Sequence, residues 1–355
     1  MAKIVFKLNG INLSEIENRK KIHLDVFRNG NPIFSKRKTG FEKYDFIPNS
    51  VNSLSLQDVK TETIFLGKKL SFPFMIGSMS GGIDESFKLN SDLSKIAEKL
   101  KIAFALGSVR PLLENRKSFD SYFIARKNAP SVPVLGNIGM GQIASGEWRS
   151  KLLEIIEDLE LDALFVHFNK LQEYIQKCGD TNFINLENEI RELIYEIGIP
   201  VIAKEVGGGF SKIDIDNLIN WGFKFIDVAG AGGTSWAKVE NILSSEKNIV
   251  GEYLSNFGVS TSESLKYLSA HKQIYSIASG GIDNPIEIAK SLALGANITS
   301  SARIIYQTYH KNGIEELESK LENWRETLRA IMYLTGVKNI DELIGNNEIL
   351  SERNG

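Results

Sequence analysis

Beyond Phe72 the chain repeats one unit: a short apolar, β-branched run closing on small or polar residues, then a longer stretch with helical periodicity. Such alternation builds parallel sheets, because each return to a neighbouring parallel strand must cross over through a helix. The runs are residues 72–79, 103–108, 132–138, 163–169, 201–206, 223–229, 274–279 and 296–301, eight in all. Pro73, Pro133 and Pro200 stand at or just before three of the starts, where a missing N–H costs the ladder least. Between the runs lie amphipathic stretches such as residues 150–161, with Leu152, Leu153, Ile156 and Leu159 on one face, and residues 186–197.

Eight units over roughly 250 residues match a closed (β/α)8 barrel better than an open doubly wound sheet. The expected fold is therefore α/β: a (β/α)8 TIM barrel with an N-terminal extension and C-terminal covering helices. Residues 1–70 read as the extension, with a hairpin near Asn29-Gly30. Residues 71–345 are the barrel with its C-terminal helix, where Leu317, Leu321, Trp324, Leu328 and Ile331 keep helical register. Residues 346–355 read as a tail.

Lysine and arginine number 42 and aspartate and glutamate 44, so no global field exists to hold a polyanion, and nucleic acid is not an expected partner. One cysteine, Cys178, excludes an intrachain disulfide and a cysteine-built metal site, and suits a cytoplasmic setting. No stretch has the uncharged length of a membrane span, and the first residues do not read as an export signal. Nucleophile-elbow, Walker and zinc-protease motifs do not occur, nor does a Rossmann fingerprint.

In such a barrel, chemistry sits on the loops that follow the strands. Here those ends are polar or glycine-rich: Ser78-Met79-Ser80-Gly81-Gly82, Gly107-Ser108-Val109-Arg110, Gly136-Asn137-Ile138-Gly139, His167-Phe168-Asn169, Lys204-Glu205-Val206-Gly207, Gly230 to Ser235, Ser279-Gly280-Gly281 and Ser300 to Arg303. Three consecutive ends, after strands six, seven and eight, suit an anion nest of backbone N–H groups, so a bound phosphate is expected there. Lys204 reads as a solvated lysine, a partner of Glu205, or a cation in the barrel mouth. In the last case, about 4 Å from a ring system at an effective dielectric near 20, it stabilises negative charge by roughly 4 kcal/mol before desolvation. His167 and Asn169 share one strand face at the productive end, whereas His23, His271 and His310 read as structural histidines. Glu173 reads either as surface charge or as the one carboxylate of a Mg²⁺ otherwise held by water and substrate phosphates.

In this order and spacing the motifs resemble one family, the FMN-dependent type 2 isopentenyl-diphosphate delta-isomerases. The likeness runs from Arg19 to about Leu343 and is carried by Arg19-Lys20-x-x-His23, Ser78-Met79-Ser80-Gly81-Gly82, Gly107-Ser108-x-Arg110, Asn137-Ile138-Gly139, His167-x-Asn169-x-Leu171-Gln172-Glu173, Lys204-Glu205-Val206-Gly207, Gly232-Gly233-Thr234-Ser235-Trp236 and Ala278-Ser279-Gly280-Gly281-Ile282. The resemblance implies interconversion of isopentenyl diphosphate and dimethylallyl diphosphate, with reduced FMN and Mg²⁺, NADPH as reductant, and assembly into tetramers or octamers. It assigns Ser78, Met79, Ser80, Ser108, Asn137, Lys204, Thr234, Gly280, Gly281, Ser301 and Ala302 to the flavin. Arg19, Lys20, Ser108, Arg110 and Gln172 fall to the substrate, Glu173 to the metal, and His167, Asn169 and Gln172 to catalysis by orienting or polarising.

Side-chain acids of ordinary pKa are poor partners for an unactivated alkene, which is why the resemblance gives the proton shift to the flavin. Lys204→Met is expected to weaken the reduced-flavin complex and activity together. Three positions depart from the family pattern: Val109 for glutamine, Ala231 for arginine and Asp283 for arginine. An α-hydroxy-acid oxidase on the same barrel is the alternative enzyme, although His271 then lies at the wrong barrel end. A non-enzymatic phosphate-binding barrel is the other alternative, distinguished by lacking flavin absorption.

Overall fold

The computed structural model describes residues 21–28, 32–79, 81–176, 179–243 and 248–353. Among them, eight parallel strands close into a barrel: β1 (Phe74–Ile76), β2 (Ala103–Ala105), β3 (Val134–Gly139), β4 (Ala163–Phe168), β5 (Val201–Glu205), β6 (Phe225–Asp227), β7 (Tyr275–Ala278) and β8 (Ile298–Ser301). Each pairs with its successor, and β8 pairs back onto β1, which closes the ring and leaves no edge. Every strand coincides with one of the runs read from the sequence.

Side chains alternate across the barrel wall with period two. Met75, Ala103, Ala105, Leu135, Ala163, Phe165, Ile202, Ile277 and Ile298 form the inner cluster. Their neighbours Phe74, Ile76, Phe104, Val134, Leu164, Val166, Val201 and Ile226 belong to the cluster between wall and helices. Helix ends obey local chemistry. Ser211 and Asp214 form a capping box at Lys212–Trp221, which stops at left-handed Gly222. Asn284 caps Pro285–Ala293, with the proline inside the first turn.

The interior is sealed at its lower end by the hairpin Thr63–Phe65 and Lys68–Leu70. Its two-residue turn has positive φ at Leu66 and Gly67, the geometry that matches strand twist. Phe65 stacks on Tyr275, the first residue of β7, at 5.4 Å between ring centroids. Among the described residues, the opposite end carries the open cavity.

The helix Arg303–Thr335 is broken at Gly313, whose φ of 87° and ψ of −177° are non-helical. Beyond the break Leu317, Leu321, Trp324 and Leu328 are buried as the register predicts; Met332 is buried too, while Ile331 is only half-buried. The hairpin expected near Asn29-Gly30 falls on residues outside those described, and residues 21–28 before it are helical rather than extended. Leu350–Glu352, within the expected tail, pairs antiparallel with Tyr44–Phe46 and ties the chain's end to the extension.

Candidate active site

The inward face turns polar toward the upper ends of the strands. Continuing each alternation from the apolar cluster, Leu135 leads to Asn137, Phe165 to His167, Ile202 to Lys204, Phe225 to Asp227, Ile277 to Ser279 and Ile298 to Ser300. Register places His167 beside Lys204, and Lys204 beside Asp227. Asn137, His167, Lys204, Ser279 and Ser300 of this ring floor a cavity of about 700 Å³, within the range of roughly 300–1,000 Å³ typical of cofactor sites, and Asp227 lies buried beside Lys204. Its roof comes from outside the barrel: His23, Leu24 and Phe27 of the helix at residues 21–28, together with Trp236. His23 and Phe27 both meet Trp236 edge to face, at 5.3 and 5.8 Å.

His167 sits with its Nδ1 2.6 Å from Asn137 Oδ1, an acceptor, so Nδ1 carries the proton and Nε2 is left as a lone pair. Burial, and then the nearby cations Lys204 and Arg110, push its pKa down to about 3. It is a neutral imidazole at any physiological pH. Lys204 donates from Nζ to the Glu205 carbonyl at 2.9 Å and lies 3.5 Å from Asp227 Oδ2. Asp227 is fully buried and accepts from Ser279 Oγ at 2.6 Å. Glu205 turns the other way and accepts the backbone N–H groups of Gly207 and Gly209 at 2.6 and 2.9 Å and that of Gly208. Burial still raises its pKa, against the lowering effect of those bonds.

Asn169 Nδ2 donates to Glu173 Oε1 at 2.7 Å, while the Asp180 N–H donates to Glu173 Oε2 at 2.9 Å. Gln172 Nε2 donates to Glu240 Oε1 at 2.8 Å, and His23 Nε2 lies 3.5 Å from the same oxygen. Among the described residues no group of three or more histidine, cysteine, aspartate or glutamate side chains could hold a metal by itself. Among the described residues, Ser78 Oγ, Asn169 Oδ1 and Arg303 Nε are buried without a hydrogen-bond partner, and all three belong to residues that line this cavity. Native folds rarely leave such atoms unsatisfied, so their gathering in one cavity marks a polar ligand site.

A protein of Pelodictyon phaeoclathratiforme named isopentenyl-diphosphate delta-isomerase is 38% identical to this chain over 345 residues, 93% of the chain and 96% of its own length. The chain belongs to the isopentenyl-diphosphate delta-isomerase family. Relatives of the same name include one from Chlorobium limicola, 38% identical over 94% of this chain and 96% of its own, and one from Methanothermobacter thermautotrophicus, 35% identical over 96% and 95%. The model of the FMN-dependent dehydrogenase family matches residues 145–351. Solved structures of an (S)-mandelate dehydrogenase mutant and a mandelate oxidase mutant superpose with TM-scores of 0.66 and 0.64 at 16% identity. They cover 96% and 95% of this chain and all of theirs, and they show a shared barrel fold.

In this isomerase-family chain, Ser78, Met79, Ser108, Arg110, Asn137, His167, Asn169, Gln172, Glu173, Lys204, Thr234, Gly280, Gly281, Ser301 and Ala302 all line the one cavity. Arg19, Lys20, Ser80 and Cys178 lie outside the described residues. Of the three departures, Val109 and Ala231 are fully buried and do not line the cavity, whereas Asp283 does and pairs with Arg303. His271 pairs with Asp216 before β7, at the lower barrel end. His23, expected to be structural, is instead in the cavity wall.

Sequence reasoning missed Asp227, Glu240, Phe27 and Tyr306, and gave Trp236 and Arg303 a place in motifs but no role. Asp227 was available from period two on β6; the others come from helices and the extension, whose approach the strand pattern does not encode. The extension also braces the glycine loop after β6. Phe34 N–H donates to the Gly233 carbonyl at 3.1 Å, Ser235 N–H to the Pro32 carbonyl at 2.8 Å, and Lys238 Nζ to the Ile33 carbonyl at 2.7 Å.

Proposed function

We propose that this chain interconverts isopentenyl diphosphate and dimethylallyl diphosphate by a 1,3 proton shift, using reduced FMN and Mg²⁺ at the barrel mouth. The observation that carries this reading is the match to named isomerases along nearly the whole chain. The site's chemistry supports it. Its unsatisfied polar atoms suit a heteroatom-rich ring and a phosphoryl group, and Gly280 and Gly281 have φ of 97° and 76°, where side chains are disfavoured. A Cβ on Gly280 would meet the Gly230 carbonyl oxygen at 2.2 Å, so only glycine lets these loops nest for an anion.

In this proposal Gly280, Gly281, Ser301 and Ala302 hold the FMN phosphate, and Ser78, Met79, Ser80, Ser108, Asn137, Lys204 and Thr234 hold the remainder. When bound and reduced, FMN supplies a proton donor and acceptor and electron-rich density beside the alkene. Lys204, anchored between the Glu205 carbonyl and Asp227, presents positive charge that favours an anionic ring. His167 cannot donate from a charged state, since it stays neutral to about pH 3; it orients through Nε2 while Asn137 fixes its tautomer. Asn169 and Gln172 are held by Glu173 and Glu240, which aims their amides for orienting and polarising.

Arg110, Ser108 and Gln172, with Arg19 and Lys20, compensate the diphosphate. Glu173 is the protein carboxylate for Mg²⁺, a cation that keeps waters and takes its other ligands from substrate phosphates. Leu24, Phe27, Met79 and Trp236 give the hydrocarbon an apolar wall and exclude water. NADPH as reductant, a cytoplasmic setting and a tetramer or octamer complete the proposal. Among the described residues no helix is long and apolar enough to cross a membrane.

The test is anaerobic incubation of isopentenyl diphosphate with protein, FMN, Mg²⁺ and dithionite, read by product analysis with each component omitted in turn. Dimethylallyl diphosphate only in the complete mixture supports the proposal. Turnover without FMN, or oxygen uptake with hydroxy acids and no isomer, overturns it. Lys204→Met is expected to lose reduced-flavin affinity and activity together.

A further inference from the structure

The glycine cradle is bordered by an ion pair to which the proposed reaction gives no role. Asp283 belongs to the loop after β7, and Arg303 opens the helix after β8. Arg303 Nη2 pairs with Asp283 Oδ2, Nη1 donates to Gln307 Oε1 at 3.2 Å, and Nε is buried without a partner. Both side chains line the cavity beside Gly280, Gly281, Ser301 and Ala302. The Asp283 N–H is itself tied to Glu287 Oε2 at 2.9 Å, so the carboxylate is carried on a fixed loop. Gln307 Nε2 donates onward to the Phe27 carbonyl at 3.3 Å, linking Arg303 to the helix that roofs the site.

A guanidinium offers its donors in a planar fork that suits a carboxylate and a phosphoryl group equally well. Here one prong is already taken by a carboxylate, and the pair brings no net charge to the cradle. We propose that Asp283 is a built-in counter-ion that competes with a phosphoryl group for Arg303 and so sets how tightly the cradle holds phosphorylated flavin. The inference rests on the FMN reading of the cavity. In it, the carboxylate keeps the guanidinium aimed across the cradle, and its negative charge opposes the phosphoryl group that docks there. Removing that charge while keeping the side chain's shape leaves Arg303 an uncompensated cation.

The experiment compares FMN with riboflavin, which lacks the phosphate, by flavin fluorescence titration of the full-length protein and of Asp283→Asn, Asp283→Ser and Asp283→Asn/Arg303→Gln. Circular dichroism reports folding of each. FMN is expected to bind the unaltered protein more tightly than riboflavin. Asp283→Asn should tighten FMN by about tenfold, the order expected from deleting one screened charge near a phosphoryl group, and leave riboflavin within about twofold. The gain should shrink as salt rises and vanish in the double variant. Asp283→Ser should act in the same direction as Asp283→Asn. If the unaltered protein prefers FMN but Asp283→Asn leaves its affinity unchanged, weakens it, or shifts riboflavin equally, the counter-ion role is overturned and the cradle reading stands. If the unaltered protein does not distinguish the two flavins, the cradle reading falls and takes this inference with it.

Discussion

Asp227→Asn tests the electrostatic floor of the site. The aspartate is fully buried, its Oδ1 accepts from Ser279 Oγ at 2.6 Å and from the Ala229 N–H at 3.2 Å, and its Oδ2 lies 3.5 Å from Lys204 Nζ. At that separation and an effective dielectric near 20, the attraction is roughly 4.7 kcal/mol before desolvation. Deleting one partner of a buried pair typically costs about 3–5 kcal/mol, because the surviving charge stays uncompensated. Asparagine keeps the volume and can still accept from Ser279, so the loss reduces to the charge contribution, and about 3 kcal/mol of destabilisation is expected. Urea unfolding of the parent, Asp227→Asn, Lys204→Met and the double variant closes a thermodynamic cycle. The two changes should be strongly non-additive, with a coupling of at least about 2 kcal/mol. A loss under about 1 kcal/mol for Asp227→Asn, with additivity to within about 0.5 kcal/mol, would show that solvent screens the pair and refute the argument.

Three further outcomes follow from the same geometry. His167 has a pKa near 3 in the fold against about 6.5 when unfolded, so the unfolded chain binds the extra proton between those values and stability falls as pH drops through that window. The slope is at most about 1.4 kcal/mol per pH unit, and His167→Gln should flatten it; an unchanged acid limb in chemical denaturation counts against the assignment. Gly280→Ala forces a side chain onto a φ of 97° and into the Gly230 carbonyl, so it should cost more than about 2 kcal/mol and abolish retained flavin, measured as absorbance per mole of purified protein. Phe65→Ala removes the lower plug and should cost about 3–5 kcal/mol in unfolding while leaving KM for the diphosphate unaltered; a large KM change would mean that the plug and the site are coupled.

Local periodicity carried the architecture. Strand and helix patterns depend on residues two to four apart, so the eight strands, the amphipathic helices between them and the register of Leu317 to Leu328 could be read before any contact was known. The polar ends of the strands were legible for the same reason, since closing a barrel brings all of them to one rim. Other contacts were not legible because their cause is not local. His23 looked like an ordinary structural histidine because nothing adjacent to it in sequence shows that its helix returns over Trp236. Nothing near Gln172 in sequence shows that Glu240, which accepts its amide, arrives from a helix after β6.

By itself, then, the sequence determined the barrel, the end at which chemistry occurs and the residue types at that rim, because these follow from period, turn chemistry and closure. Tertiary structure alone decided which charges meet. Lys204 faces Asp227 rather than the Glu205 carboxylate because parallel register aligns it with β6, while the tight glycine turn after β5 folds Glu205 back onto its own backbone. Asp283 meets Arg303 because the loops after β7 and β8 lie side by side in the closed sheet. Charge pairing depends on distances across neighbouring strands, and those distances exist only once the ring has closed.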